Sequence, residues 1–546
     1  MSEAMPVNKG LVTVSIMLAT IMQALDTTIA NVALPHMQGA MSATSEQISW
    51  VLTSYIVAAA IATPLTGYLA ARIGRKRLFL LSVGGFTLAS VACGLAQSLG
   101  QIVLFRLLQG VFGAGLVPLS QAVLLDTFPR ERHGSAMAMW GVGVMVGPIL
   151  GPTLGGYLTE VYDWRWVFFI NLPVGLLALA GLGLFLRETP RQKRGFDLFG
   201  FALLSLAIGA LQLMLDRGES VDWFSSGEII MEAAVAGLAF YLFTAHMLTA
   251  KEPFLRPALF RDRNLVTGLI FIFVVGVILL ATLALLPPFL QNLMGYPVVT
   301  TGLVLAPRGL GSMVAMFIVG RLVNRVDVRA LIAVGLLLTA TSLFGMAQFN
   351  LEIRPMAVVQ TGIIQGLGLG FTFVPLSTIT FSTLSHELRT EATALFSLMR
   401  NVGSSIGISI VVTLAAHYTQ VNHAVLGERL TPFSGALAGL MGAAGGTVPG
   451  SAGLTWLNGE LTRQAAAIAY LNDFRCMAWI ALAALPLLLL FRRNAAPSPA
   501  LAPQIVYQSP PKAPRQGAAR RQWPVALAKG RNAALALLGG SLRASR

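Results

Sequence analysis

Asp26 stands in the run LATIMQALDTTIANVALP, residues 18 to 35, inside an apolar stretch from Gly10 to Leu34. That stretch is long enough to cross bilayer hydrocarbon, since about 20 helical residues span a ~30 Å core. At ~1.5 Å per residue Asp26 lies ~24 Å from Gly10, in the membrane half away from the N-terminus. A carboxylate at that depth must be paired, hydrated or protonated, which makes it a candidate for proton exchange. Arg106 lies about five residues inside the fourth apolar run, counted from Gln101, at roughly the same depth. An arginine keeps its proton and holds a facing carboxylate ionised, while loss of water favours the neutral acid. Asp26 and Arg106 are therefore expected to face each other as a proton-coupling pair. Of the 23 acids, Asp26 is read as the one well inside a span, with Asp126, Glu160, Glu232 and Asp473 close to span ends.

Two glycine-bearing motifs could convert such a charge change into movement. GYLAARIGRKRLFL, residues 67 to 80, packs Arg72, Arg75, Lys76 and Arg77 around Gly67 and Gly74, between the second and third spans. Its glycines allow tight turns and its charges suit helix ends, so it is expected to gate. GRLVNRVDVR at 320 to 329 occupies the matching place later in the chain. The fifth span, GVGVMVGPILGPTLGGYL, spaces Gly143, Gly147, Gly151 and Gly155 at intervals of four along one face. Small residues at that spacing admit a neighbouring backbone, and Pro148 and Pro152 bend the helix. Gln23, Asn31, Gln109, Arg308 and Arg400 are further polar or cationic groups within spans and are expected to line a cavity.

Other chemistries are absent. The chain has no GxxxxGK[ST] loop for ATP, no HExxH, no CxxC and no His/Cys cluster, so neither a metal nor a cofactor is expected and the energy must come from ions. Nothing points to an enzyme. Cys93 and Cys476 sit in or at apolar segments, and the six histidines are scattered. The net charge of +15 is read from its distribution over loops beside a lipid bilayer, not as a nucleic-acid footprint.

The elements that position these residues are membrane helices. With 55% hydrophobic and only 11% charged residues the chain reads as an all-α polytopic membrane protein. Apolar runs fall at about 11–34, 48–70, 78–97, 101–124, 136–158, 167–186, 199–215, 229–248, 266–290, 300–320, 330–348, 356–381, 392–418 and 474–491. Of the 38 Lys and Arg residues, 29 fall on the N-terminal side of these spans and six on the other, the rest being Arg106, Arg308 and Arg400. The positive-inside rule then makes both termini cytoplasmic. Residues 419–471 form a long outer loop whose later part, GLTWLNGELTRQAAAIAYLNDF, has the pattern of an amphipathic helix; residues 492–546 form a basic tail of disordered composition, suited to anionic lipid. QGVFGAGLVPLS at 109–120 returns as QGLGLGFTFVPLS at 365–377, and Gly143 and Gly147 return as Gly403 and Gly407. A duplicated six-span unit, 1–198 and 249–491, with two spans inserted at 199–248, fits that offset.

LDTTIANVALP, GYLAARIGRKR, RLLQG at 106–110, GPILGPTLGG at 147–156, WRWVFFINLPVG at 164–175 and LMLDRGESVDWFSSGEII at 213–230 together resemble the major facilitator superfamily, specifically its fourteen-span drug:proton antiporters of EmrB-like type. The resemblance implies a major facilitator fold of two six-helix halves plus two central spans. It implies Asp26 as proton carrier, Arg106 as its partner and Gly147-Pro148 as the antiporter signature. The family loop often carries an acid where this chain has Ala71, so Arg72 to Arg77 must act through other contacts. The resemblance also implies a bacterial inner membrane, a periplasmic EmrA-type adaptor and a TolC-type outer-membrane channel. The expected function is proton-driven efflux of hydrophobic or amphipathic compounds across the inner membrane. A proton-coupled importer and a non-transporting receptor or scaffold are the rival readings.

Overall fold

The computed structural model describes residues 9–192, 195–428 and 451–492. Lys193, Arg194, the centre of the 419–471 loop and nearly all of the 492–546 tail lie outside the described residues. Every expected apolar run is helical, and no strand occurs among the described residues. In chain order the helices are α1 (Lys9–Ala40), α2 (Ser45–Ala62 with Leu65–Ile73), α3 (Arg75–Leu95), α4 (Leu99–Thr127), α5 (His133–Val161), α6 (Trp166–Phe185) and α7 (Leu198–Arg217). They continue as α8 (Gly227–Thr249), α9 (Arg263–Leu293), α10 (Val298–Leu322), α11 (Val328–Met346), α12 (Pro355–Phe381), α13 (Arg389–Glu428) and α14 (Ser451–Ala483). Helices are the only lipid-compatible solution for such segments, because each satisfies its own backbone groups.

Local signals set the ends. Thr44 and Gln47 form a reciprocal capping box before α2, and Ser98, Asp197 and Asp262 each accept a backbone N–H in the first turn that follows. Pro64, which has no N–H to donate, marks a 56° bend within α2. Gly74 adopts φ +95°, which only glycine tolerates easily, and so turns α2 into α3 within one residue.

Two helices run further than their apolar stretch. α13 continues to Glu428, and α14 begins at Ser451, well before the span expected from 474. The outer loop expected over 419–471 is thus helical at both ends, and Trp456, Leu457 and Leu461 belong to the extension of α14, not to a separate amphipathic element. Asp473 accordingly falls inside a continuous helix, 1% exposed, with Oδ2 unpartnered among the described residues. It joins Asp26 and Glu391 among the buried acids, contrary to the reading that placed it close to a span end.

The glycine face of α5 packs along α1. An added Cβ at Gly147 would sit 2.5 Å from the Ala24 carbonyl carbon, and one at Gly155 3.2 Å from Val32 Cβ. Gly143 meets Met17, and Gly151 meets Thr28, whose hydroxyl donates to Gly147 O at 3.1 Å. The opposite face of α5 meets α10, with Ile149 against Gly309 and Pro152 against Gly302. α13 repeats this packing on α9: Gly403 lies against Phe273, and an added Cβ at Gly407 would come 2.7 Å from Val277 Cα. α7 lies between α2 and α13, where Thr53 donates to Asp216 and Gln212 exchanges hydrogen bonds with Ser405.

Candidate functional site

Asp26 and Arg106 meet. Their side chains are each 1% exposed, and Arg106 Nη1 donates to Asp26 Oδ2 at 2.8 Å. The close glycine packing of α5 holds α1 in register, and α4 brings Arg106 and, one turn on, Gln109 to the same carboxylate. Gln109 Nε2 and Asn171 Nδ2 each donate to Asp26 Oδ1 at 2.8 Å. Arg106 also donates through Nε to Val51 O at 3.1 Å and through Nη1 to Gln109 Oε1 at 2.7 Å, and its guanidinium lies 4.4 Å from the Tyr55 ring centroid. Ser90 accepts from Asn171 at 2.9 Å and donates to Phe168 O. Helices α1, α2, α3, α4 and α6 all contribute, and the carboxylate accepts three short hydrogen bonds from N–H donors. Protonating it turns an acceptor oxygen into a donor, which breaks at least one of these contacts and leaves Arg106 without its counter-charge.

The other cavity candidates separate. Gln109 is part of the Asp26 cage. Gln23 has a buried Oε1 without a partner among the described residues. Asn31 is exposed and donates to Thr27 O on its own helix. Arg308 is 7% exposed, on α10, and Arg400 is half-buried on α13; neither comes near Asp26 through any described contact. Asn171, Ser90 and Tyr55 were missed by sequence reasoning. Asn171 sits in the quoted WRWVFFINLPVG motif, and an amide inside an apolar span was the available signal.

Acids from other segments contact the 67–80 loop. Glu188, just beyond α6, accepts the backbone N–H groups of Lys76 and Arg77 at 3.1 and 3.2 Å and so caps α3. Lys76 Nζ donates to Gly183 O at 2.6 Å, and Arg72 donates to the Tyr68 hydroxyl. Arg75 pairs with Asp126 at the end of α4 and donates through Nη2 to His386 O at 2.9 Å. Arg389 pairs with the same Asp126 and donates to Leu125 O at 3.2 Å. His386 Nδ1 lies 2.8 Å from Asp126 Oδ1; partial burial, then the charges of Arg389, Arg75 and Arg130, hold its imidazole below the usual histidine range.

These contacts join residues before 198 to residues after 249 at the end of the bundle that carries Lys9. Gly67 abuts Glu391 at the start of α13, an added Cβ there coming 2.8 Å from Glu391 Cα. Arg256 pairs with Glu391 at 2.9 Å. The second loop makes the reciprocal contact at the start of α5, where Ser135 donates to Gly320 O at 3.2 Å and Asn324 donates at 2.6 Å to the carbonyl of Glu131, just before the helix. Each loop therefore grips the start of the other half's glycine-lined helix.

The Major Facilitator Superfamily model matches residues 16–408. The chain belongs to this superfamily, in its EmrB-like branch. It is 39% identical over 432 residues to the multidrug export protein EmrB of Escherichia coli strain K12, covering 78% of this chain and 83% of that protein. It is 38% identical over 428 residues to the fatty acid resistance protein FarB of Neisseria gonorrhoeae, covering 78% and 84%. Among solved folds, the human organic anion transporter MFSD10 aligns with a TM-score of 0.58 at 15% identity, covering 88% of this chain and 99% of that one. The proton:xylose symporter XylE aligns at 0.56 and 14%, covering 89% and 99%. The all-helical, fourteen-span reading and the membership expected from the motifs both hold, and the superfamily is one of multi-pass membrane transporters.

Proposed function

We propose that the protein exports hydrophobic and amphipathic toxic compounds across a bacterial inner membrane in exchange for protons, with Asp26 as the proton-binding group. The observation that carries this reading is the sealed Asp26–Arg106 pair with its two amide donors, pressed against the glycine face of α5. An ionised Asp26 ties α1 to α4 and α6; a protonated one loosens that tie. A proton can shift a conformational equilibrium only if it binds the two states differently, and this cage supplies the difference. In one state, cross-half contacts around Asp126 and Glu391 seal the Lys9 end. In the other they part. The similarity to EmrB and FarB supports export of drugs or fatty acids, and assembly with a periplasmic adaptor and an outer-membrane channel follows the same analogy.

Inside-out vesicles test the reading. A proton gradient is expected to drive uptake of a hydrophobic drug into them, and collapsing the gradient is expected to abolish it. Counterflow in the same vesicles separates efflux from a proton-coupled importer. No gradient-dependent movement of any compound in a hydrophobic-drug and organic-anion panel would leave the receptor or scaffold reading standing. Tags at residue 190 and after 491 are expected on the cytoplasmic face, and one near 445 on the periplasmic face.

A further inference from the structure

The duplicated halves make the two pseudo-equivalent sites comparable, residue by residue. On α1, Ala24 faces Gly147 and Asp26 follows two residues later; on α9, Val277 faces Gly407 and Leu279 follows two residues later. In the repeated QG motif, Gln109 corresponds to Gln365, and Gln365 Nε2 reaches back to Thr282 on α9 at 3.2 Å much as Gln109 reaches α1. Three residues before Gln109 stands Arg106; three before Gln365 stands Gly362. The space that Gly362 leaves lies beside Arg308, whose Cβ is 3.6 Å from where a Gly362 Cβ would be. The second site thus regains a guanidinium from α10, but an apolar leucine occupies the place of the carboxylate.

Arg308 is left in an unusual position. It is 7% exposed, about ten residues from the Val298 end of α10, and no carboxylate lies within ion-pair range among the described residues. Its one side-chain hydrogen bond there, Nη2 to Leu279 O, is 3.5 Å long, at the outer limit for such a bond. Gln365 is 2% exposed and its Oε1 is unpartnered. Both line a partly open cavity of about 30 Å³ with Val275, Leu279, Thr339 and Thr372. A single water needs ~10–15 Å³ measured in this way, so the space holds a group of about two or three heavy atoms. A buried guanidinium without a counter-charge is destabilising, and its planar fork of donors matches the two oxygens of a carboxylate. Rotating the Gln365 amide would turn its NH₂ into the cavity, since the two amide orientations are alternatives decided by the available partners.

We infer that the Arg308–Gln365 cavity is a binding site for a monovalent anion, in which a ligand carboxylate takes the place that Asp26 fills in the first half. The carboxylate comes either from a small organic acid in solvent or from the head of an acidic amphiphile entering among α9, α10 and α12. The site concerns binding and stands apart from the proposal that Asp26 exchanges protons.

Thermal unfolding of the full chain in lipid nanodiscs tests this, with formate, chloride or octanoate replacing sulfate at constant ionic strength and octanol as the neutral control. A saturable rise in Tm of about 2–4 °C is expected with formate and octanoate but not octanol. Arg308→Gln is expected to abolish the rise and Arg308→Lys to keep a weaker one. If Arg308→Gln does not fold, Gln365→Leu serves instead, with at least a threefold loss of apparent affinity. Asp26→Asn is expected to retain the response, so failed proton exchange and a failed anion site are distinguishable. A stronger response to octanoate than to formate identifies an amphiphile head as the ligand, and a response to formate alone identifies a small solvent acid; both support the site, and a response to chloride alone overturns it. No anion response in the wild type, or an equal response in Arg308→Gln, overturns it.

Discussion

At the scale of single residues, the Asp26 carboxylate is held by one guanidinium and two amides, and each contact has its own consequence. Asn keeps the shape of a protonated Asp and cannot release a proton, so Asp26→Asn is expected to abolish gradient-driven transport while substrate binding persists. Wild-type transport with unchanged proton dependence in that variant would move the role to another group, and Asp473, buried in α14, is the acid to examine next. Arg106→Ala leaves a buried carboxylate without its cation. A loss of about 3–5 kcal/mol is expected, read as a large fall in Tm together with lost coupling. Asn171→Ala removes one of three donors to the same charge, and a smaller loss of about 1.5–3 kcal/mol is expected. A drop as large as that of Arg106→Ala would mean that the amide also carries the packing of α6.

At the scale of helices, the glycine stripe was expected to admit a neighbouring backbone, and its spacing named no partner. Its face is filled by α1 of the same half, from Met17 to Val32. The halves meet across the other side of α5, through Ile149 and Pro152. Small residues allow backbone approach in lipid wherever they face, and spacing alone leaves the facing helix open. Gly147→Leu is therefore expected to push α1 off α5 and strain the Asp26 cage. Transport should be lost and Tm should fall by the equivalent of about 1–3 kcal/mol or more, as overpacking of a tight contact does. Normal transport with an unchanged Tm would show that the contact yields without consequence for Asp26.

At the scale of the whole molecule, the two loops form a reciprocal clasp, Gly67 on α13 and Gly320 on α5, with Asp126 shared between Arg75 and Arg389. Arg389 is 1% exposed, so its contacts with Asp126 and Leu125 O are shielded and contribute more than an exposed pair would. Arg389→Ala is expected to open that end. Spin labels at the exposed positions Arg130 and Arg325 should report a longer mean distance by double electron–electron resonance, with Asp26–Arg106 chemistry intact. An unchanged distance distribution would assign the closure to the α5–α10 contacts instead.

Hydrophobic runs, the asymmetry of basic loops and the recurring QG and glycine motifs were sufficient for the fourteen spans, the internal duplication and the depth match of Asp26 with Arg106. All of these depend on periodicity and transfer free energy, which are properties of segments taken one at a time. Which side chains complete the cage depended on how five helices rotate about their axes, and that is decided by packing between segments distant in the chain. Asn171 and Gln109 reach one carboxylate oxygen from positions 145 and 83 residues away, with no local pattern to announce it. The same reason hid the length of α14: helix propensity past the apolar stretch is sustained by packing on α13, so Asp473 moved from a span end to the interior. Leu279, unremarkable in sequence, acquires meaning only when α9 on α13 is laid over α1 on α5. It then marks the place where the first half has its carboxylate and the second half has none.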